Sequence, residues 1–221
     1  PYTTLFRSLN VNDKPVIIYT LEAFQRHPNI DKIEVVCLDG WQEILRAYCK
    51  QFGISKLANV VEGGENGQSS IRNGLWDLKE MYDENDLVLI HDAIRPMVSE
   101  EIISDAIRVC KKYGNSISVI PCAEAMLKTE DGVSSLEQIP RDNLKRTQTP
   151  QTFVLKDIVA AHEEALEKGI TNSVASCTLY IELGKKLYFS AGSEKNIKLT
   201  TPDDIDIFKS ILVTRKSEWM K

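Results

Sequence analysis

The chain has 221 residues, of which 43% are apolar and 27% charged, as in globular chains that bury a core. The net charge of −5 argues against nucleic acid and anionic membranes as partners. No apolar run approaches the roughly 18 residues that a membrane span needs. Five scattered cysteines without a C-x-x-C pair indicate reduced thiols, so we expect a cytoplasmic protein.

Apolar periodicity predicts alternating helices and strands from residue 15 to residue 121. The predicted helices are 15–26, 41–48, 69–81 and 103–110, and the predicted strands are 32–38, 59–61, 87–92 and 116–121. The strand at 87–92 is continuously apolar, as in strands covered on both faces. Crossovers of this length require parallel pairing, so we predict an α/β fold, Rossmann-like and doubly wound, with a mainly parallel sheet.

The alternation breaks between residues 123 and 152. Two short runs, AMLKT and VSSLEQI, flank Glu130-Asp131-Gly132, which predicts a β-hairpin. We interpret this region as an arm that projects from the sheet of a single domain spanning residues 9–221. After the arm, the pattern predicts helices at about 155–168 and 173–183, a strand at 186–190 and a last helix after Thr201-Pro202.

The segment HDAIRP (91–96) follows the clearest predicted strand and places Asp92 at its carboxyl end. A carboxylate there is suited to Mg²⁺, which takes oxygen ligands and bridges substrate phosphates. The alternative is that Asp92 caps the next helix or pairs with Arg95. The motif alone does not separate these interpretations.

Two further segments carry groups that suit phosphates. In EGGENGQSSIRNG (62–74), the glycine N–H groups and the hydroxyl of Ser69 or Ser70 could bind an anion at the start of a helix. A turn followed by a serine N-cap is the structural alternative for the same residues. The second, RDNLKRTQTPQTF (141–153), is rich in cations and hydroxyls. Lys198, which we place on a strand near the carboxyl edge of the sheet, is a further phosphate candidate. Solvated surface cations are the alternative for both.

Four motifs in order give these segments a common interpretation: GG-x5-S at 63–70, HDA-x-RP at 91–96, TPQ-x-F at 149–153 and NIK-L-T-x-P-D-D at 196–204. From about Leu9 to Phe208 the chain resembles the IspD/TarI-type cytidylyltransferases. That family includes enzymes acting on 2-C-methyl-D-erythritol 4-phosphate and on ribitol 5-phosphate. Both make a CDP-polyol and pyrophosphate from CTP, so the resemblance implies a nucleotidyltransferase.

The resemblance implies a nucleotide site on one side of the sheet. Asp92 binds Mg²⁺ at the CTP phosphates, with Ala93 beside it. The backbone of Gly63 and Gly64 and the hydroxyl of Ser70 lie against the nucleotide.

The resemblance also implies a site for the polyol phosphate and a homodimer. Lys198 steadies the α-phosphate during attack, and Arg141 comes from the partner subunit's arm to hold the polyol phosphate. Glu124, Thr149 and Asn172 fall at positions that contact substrate. An exposed arm that clasps a second copy accounts for the hairpin.

The chain departs from the methylerythritol phosphate enzymes at three places. It has Glu124-Ala125 in place of Asp-Thr, TNSVAS at 171–176 in place of Thr-Asp-Glu-Ala-Ser, and altered residues at 65–67. Methylerythritol phosphate is the predicted acceptor, with ribitol 5-phosphate or another polyol phosphate as the alternative. A sugar-1-phosphate nucleotidyltransferase using another base and a catalytically silent dimeric nucleotide-binding scaffold remain open.

The first eight residues, PYTTLFRS, fit no pattern that follows. In the resembled family a strand and a loop of the type L-A-G-G-x-G-x-R-M, roughly two dozen residues, precede the segment matched by Leu9. PYTTLFRS has no glycine and one cation, so it cannot supply the N–H donors that grip a triphosphate. We therefore expect residues 1–8 to be a non-native segment, similar to a translated sequencing adapter, and the chain as written to be a defective enzyme.

Overall fold

The structure is a computed structural model that describes residues 9–218, with side chains through residue 214. Its helices are α1 (Val16–Arg26), α2 (Gln42–Gln51), α3 (Gly67–Met81), α4 (Glu100–Tyr113), α5 (Leu155–Glu167), α6 (Ser176–Glu182) and α7 (Pro202–Glu218). Its strands are β1 (Asn10–Val11), β2 (Lys14–Pro15), β3 (Ile33–Cys37), β4 (Leu57–Glu62), β5 (Leu87–Ile90), β6 (Asn115–Pro121), β7 (Met126–Lys128), β8 (Glu137–Ile139), β9 (Lys145–Val154) and β10 (Phe189–Ala191). A 3₁₀ turn at Arg141–Asn143 precedes β9.

The strands form one four-stranded sheet, one parallel pair and two short antiparallel pairs. The four-stranded sheet has the order β10-β6-β9-β5, and β3 pairs with β4. Both β3–β4 and β10–β6 are parallel, whereas β9 runs antiparallel to both of its neighbours. The predicted α/β class with parallel pairing is confirmed, and β9 is an antiparallel strand within it.

Strand β5 is apolar throughout because its two faces pack into different core clusters. Leu87 and Leu89 pack on the cluster built from α1, α2, α4, β3 and β4. Val88 and Ile90 pack on the cluster built from α3, α5, α6 and the strands β6 and β9. The continuous apolar run therefore reflects cover on both faces, as predicted from the sequence.

Strand β9 was missed by the sequence analysis, which placed residues 145–152 in the arm. Its sequence, KRTQTPQTFV, is polar and contains Pro150, which removes a backbone donor. The proline lies where the β6–β9 register shifts, between the pairs Ile117–Gln151 and Val119–Thr147. Polar residues are buried here because they find distant partners, which local periodicity does not encode.

The arm is a hairpin of β7 and β8, paired from Met126–Ile139 to Lys128–Glu137. Its turn contains Gly132 at φ +71°, a conformation that favours glycine, and Asp131 Oδ1 accepts backbone N–H bonds of 2.8–2.9 Å in the turn. This confirms the predicted hairpin. Four large apolar side chains on the arm are exposed: Met126, Leu127, Val133 and Leu136.

The ends of the predicted elements shift by a few residues. The strand predicted at 186–190 lies at Phe189–Ala191, and the helix predicted at 173–183 begins at Ser176. The prediction that PYTTLFRS is a non-native segment concerns residues outside the described range. Within residues 9–218, no helix is both long and apolar enough to cross a membrane.

Candidate active site

Asp92 lies two residues beyond β5 and contacts two cations. Its Oδ2 accepts from Arg95 Nε at 2.9 Å, and its Oδ1 lies 3.1 Å from Lys198 Nζ. Arg95 also donates from Nη1 to the backbone carbonyl of Asn196 at 2.7 Å, so its guanidinium bridges two chain segments. The pairing of Asp92 with Arg95, weighed as an alternative from the sequence, is present together with the contact to Lys198.

The charges around Asp92 keep its carboxylate ionised. Burial by itself would raise the pKa of Asp92, but the positive charges of Lys198 and Arg95 and the Arg95 hydrogen bond outweigh it and lower the pKa. Asp92 is therefore a carboxylate at neutral pH, the form that binds a cation.

His91 and Thr149 support the backbone of Asp92. His91 Nε2 lies 3.2 Å from the Arg95 carbonyl, and its Nδ1 lies 3.0 Å from Thr149 Oγ1. Since a carbonyl only accepts, Nε2 carries the ring proton, and Thr149 donates to Nδ1. Thr149 Oγ1 in turn accepts from the backbone N–H of Asp92 at 3.1 Å. Burial lowers the pKa of His91 to about 4, so the ring is neutral, as this chain of bonds requires.

Thr149 was predicted to contact substrate, and the structure gives its polar groups partners inside the protein. Its hydroxyl joins His91 to Asp92, and its carbonyl accepts from Asn196 Nδ2 at 2.9 Å. Ala93, the predicted neighbour of the nucleotide, is held to α1 because Thr20 Oγ1 donates to its carbonyl at 2.8 Å. Both residues therefore fix the loop that carries Asp92.

Lys198 does not lie on a strand, which corrects the sequence analysis. It belongs to the irregular segment between β10 and α7, positioned by the bond from the Leu199 N–H to the Ile94 carbonyl at 2.9 Å. This places Lys198 on the loop facing Asp92. Its side chain is 43% exposed, so the ammonium group can reorient.

Two buried amides that the sequence analysis did not single out join β9 to the Lys198 segment. Gln148 Nε2 donates to the Ser193 carbonyl at 2.9 Å, and its Oε1 accepts from the Ser193 N–H at 3.1 Å. Asn196 is fully buried and donates to the Thr149 carbonyl. Asn196 lies in a motif that carries the family resemblance and Gln148 directly precedes another, but a polar residue in a polar segment gives no sign of burial.

The glycine-rich loop is closed on itself at the start of α3. The Gly64 N–H donates to Ser70 Oγ at 3.0 Å, and Asn66 Oδ1 accepts from the Ser69 N–H at 2.9 Å. Asn66, not a serine, is thus the N-cap, and α3 begins at Gly67. A Cβ on Gly64 would lie 2.3 Å from Ser69 Oγ, so this turn requires glycine.

Asn172, a predicted substrate contact, is exposed on the segment between α5 and α6. The carbonyl of Thr171 accepts from Asn66 Nδ2 at 3.1 Å, and the N–H of Ser173 donates to Gln68 Oε1 at 2.7 Å. The segment with Asn172 is therefore joined to the same turn of α3 that closes the glycine-rich loop.

Arg141 and Glu124 lie at the base of the arm. Arg141 belongs to the 3₁₀ turn before β9, and its Nη1 donates to the carbonyl of Ala123, next to Glu124, at 2.6 Å. Both side chains are exposed. The structure thus gathers Asp92, Thr149 and Lys198 into one bonded cluster and places Arg141 and Glu124 together at the arm.

The profile of the family described as "IspD: 2-C-methyl-D-erythritol 4-phosphate cytidylyltransferase" matches residues 5–214. The chain belongs to this cytidylyltransferase family. It is 43% identical over 204 residues to a ribitol-5-phosphate cytidylyltransferase of Lacticaseibacillus paracasei, covering 91% of this chain and 87% of the relative. It is 40% identical to one of Vibrio parahaemolyticus, covering 95% and 88%. A 2-C-methyl-D-erythritol 4-phosphate cytidylyltransferase of Clostridium botulinum is 36% identical, with 92% and 87% covered.

Solved structures of the cytidylyltransferase family share the fold. The 4-diphosphocytidyl-2C-methyl-D-erythritol synthase of Anaerococcus prevotii superposes with a TM-score of 0.82 at 25% identity, covering 93% of this chain and 92% of that one. The 2-C-methyl-D-erythritol 4-phosphate cytidylyltransferase of Thermus thermophilus gives 0.78 at 25% identity, with 94% of both chains covered. These matches confirm the predicted fold and family.

Proposed function

We propose that this chain transfers the cytidylyl group of CTP to a polyol phosphate. A phosphate oxygen of the acceptor attacks the α-phosphorus of CTP, the bond from that phosphorus to the bridging oxygen breaks, and pyrophosphate leaves. The observation that carries the proposal is the Asp92–Lys198 pair beyond β5, in a chain of the cytidylyltransferase family. An ionised nucleophile needs no general base, so positioning and charge neutralisation suffice.

Lys198 is the group that neutralises charge on the α-phosphate. In the structure its ammonium pairs with Asp92 Oδ1, and its half-exposed side chain is long enough to turn towards a bound phosphate. Arg95, which is only 11% exposed, stays on Asp92 Oδ2 and keeps the carboxylate oriented. Lys198 thus moves from Asp92 to the α-phosphate, while Arg95 stays paired with Asp92.

The residues present fit Mg²⁺ as a substrate-bound ion. Among the residues that the structure describes, no group of three or more His, Cys, Asp or Glu side chains surrounds a possible metal position. Mg²⁺ commonly binds through one or two carboxylates, with phosphates and water completing its shell. The ionised Asp92 supplies such a carboxylate, with lone pairs left after its two cation contacts. Bound there, Mg²⁺ would supply charge neutralisation at the triphosphate.

Ribitol 5-phosphate is the acceptor that we favour. The relatives at 43% and 40% identity are named for it, whereas the Clostridium botulinum relative named for methylerythritol phosphate is 36% identical. The replacements at Glu124-Ala125 and 171–176 point the same way, because they remove groups expected at a methylerythritol phosphate site. Methylerythritol phosphate is the second candidate.

We also propose a homodimer formed through the arm. Arg141 and Glu124 sit at the base of the arm, so an arm that crosses to a second copy would bring their charged groups to that copy's acceptor site. Leu127, Val133 and Leu136, exposed by 64%, 91% and 108%, give the arm apolar surface for such a contact. Leu136→Asp is expected to weaken the dimer in sedimentation, and an unchanged dimer contradicts this contact.

A product assay tests the reaction and its acceptor. The purified protein carries its native N-terminal sequence in place of residues 1–8, which we expect to be a non-native segment. It is incubated with Mg²⁺, one nucleoside triphosphate and either ribitol 5-phosphate or methylerythritol phosphate, and the products are identified by mass spectrometry. We expect CDP-ribitol from CTP, with a lower kcat/KM for methylerythritol phosphate and for UTP or GTP. No CDP-polyol from either acceptor would refute the proposal. Calorimetry then distinguishes a silent scaffold, which shows no Mg²⁺-dependent binding of CTP.

A further inference from the structure

The first turn of α3 and its N-cap make two sets of contacts. In the first set, Ser70 and Asn66 close the glycine-rich loop, as described above. In the second set, Gln68 and Asn66 reach the segment 170–173, which lies about a hundred residues further along the chain. One turn of helix thus holds the loop proposed to contact CTP and the segment that carries Asn172.

Gln68 makes the stronger part of this connection. The residue is 3% exposed, and both polar atoms of its amide are bonded. Nε2 donates to the Ile170 carbonyl at 2.7 Å, and Oε1 accepts from the Ser173 N–H at 2.7 Å. These two bonds fall on either side of Asn172. A buried amide with both atoms bonded across two segments fixes their separation.

The segment is also anchored from its other end. Ser173 is buried and its hydroxyl donates to Glu182 Oε1 on α6 at 2.9 Å. Asn172 itself remains exposed, between bonded neighbours. The arrangement therefore presents one polar side chain to solvent from a backbone that is fixed before and after it.

We infer that Gln68 is a positioning residue that holds the acceptor-binding segment 170–173 in register with the nucleotide-binding loop. The inference rests on the proposed function and adds a residue to it that no family motif in this sequence contains as a fixed position. Gln68 touches neither substrate. It acts through the backbone of Ile170 and Ser173, so its loss should affect the acceptor and spare the nucleotide.

The test uses Gln68→Met, which keeps the shape of the side chain and removes both hydrogen bonds. We expect the KM for ribitol 5-phosphate to rise about tenfold, as for the loss of one to two buried hydrogen bonds. The KM for CTP should stay within about twofold, because the Asn66 cap and the Ser70 bond remain. Hydrogen exchange without ligand should show faster exchange of the Ser173 amide.

Gln25→Met is the matched control. Gln25 is partly buried, less so than Gln68. Like Gln68, it joins two segments through both amide atoms, donating to Ser55 Oγ at 2.9 Å and accepting from the Lys56 N–H at 2.9 Å. Its loss should speed exchange of the Lys56 amide and leave both KM values unchanged. This separates positioning at the acceptor segment from the general effect of losing a bridging glutamine.

Two results would overturn the inference. One is an acceptor KM in Gln68→Met that stays within about twofold of wild type, and the other is an equal rise for CTP and for the acceptor. If the wild-type protein makes no CDP-polyol, the proposed function fails by itself. Hydrogen exchange of the Ser173 amide, measured without ligand, then tests the role of Gln68. Unchanged exchange in Gln68→Met would refute the proposal that Gln68 positions the segment 170–173.

Discussion

At the end of β5, Asp92 contacts Arg95 and Lys198, and its backbone is bonded through Thr149 to the neutral His91. At the base of the arm, Arg141 and Glu124 are exposed, and Arg141 donates to a carbonyl of its own arm. The first region is assembled within one chain, from segments far apart in sequence. The second presents charged groups to the outside. We therefore propose that nucleotide chemistry depends on internal positioning, whereas acceptor binding depends on exposed groups that a second copy would cover.

The largest expected effect comes from removing the centre of the internal cluster. Asp92→Ala should lower kcat/KM at least about 10³-fold, because the carboxylate proposed to hold Mg²⁺ at the phosphates is lost. The fold should persist, because Arg95 keeps its bond to the Asn196 carbonyl. Steady-state kinetics and circular dichroism check the two claims. Asp206→Ala, which removes an exposed carboxylate on α7, is the control and should retain full activity.

Lys198→Ala should have the next largest effect, a fall of about 10²-fold in kcat, typical of losing one group that stabilises developing charge. Because the side chain is 43% exposed, the free energy of unfolding should change little. Lys195→Ala removes a neighbouring exposed lysine and serves as the comparison. Equal activities for the two variants would remove Lys198 from the mechanism.

The sequence predicted some residues of these two regions and not others. Asp92 was found because a carboxylate after a continuously apolar strand stands out, and the arm was found because Asp-Gly between short strands signals a hairpin. Gln148 and Asn196 were missed because their partners lie some 45 residues or more away along the chain, at distances that no local pattern covers. Strand β9 was missed for the same reason, since its buried polar residues depend on partners that only the folded chain brings near.

On the arm, Arg141→Ala should raise the KM for the polyol phosphate about tenfold and leave the KM for CTP unchanged, since the proposed charged hydrogen bond to the acceptor phosphate is lost. The exposed side chain contributes little to stability, so thermal unfolding should not change. Arg108→Ala, which removes an exposed arginine on α4, is the matched variant. A rise in both KM values would instead assign Arg141 to the nucleotide.

The last prediction concerns the pH dependence of stability and separates the buried region from the arm. Burial lowers the pKa of His91 and of His162 from 6.5 to about 4. The unfolded chain therefore binds more protons between those values, and stability falls as pH decreases from about 6.5 towards 4, by about 1.4 kcal/mol per pH unit for each histidine. His162→Leu should remove about half of this slope in denaturant titrations, whereas Arg141→Ala should leave it intact.

Pyrophosphate release measures whether the cluster around Asp92 supports the proposed cytidylyl transfer. Wild type and Asp92→Ala, both with the native N-terminal sequence in place of residues 1–8, are compared with CTP, ribitol 5-phosphate and Mg²⁺ at the same protein concentration. We expect wild type to release one pyrophosphate per CDP-ribitol formed and Asp92→Ala to release none above background. Equal release by both proteins, or none by wild type with either polyol phosphate, would contradict it.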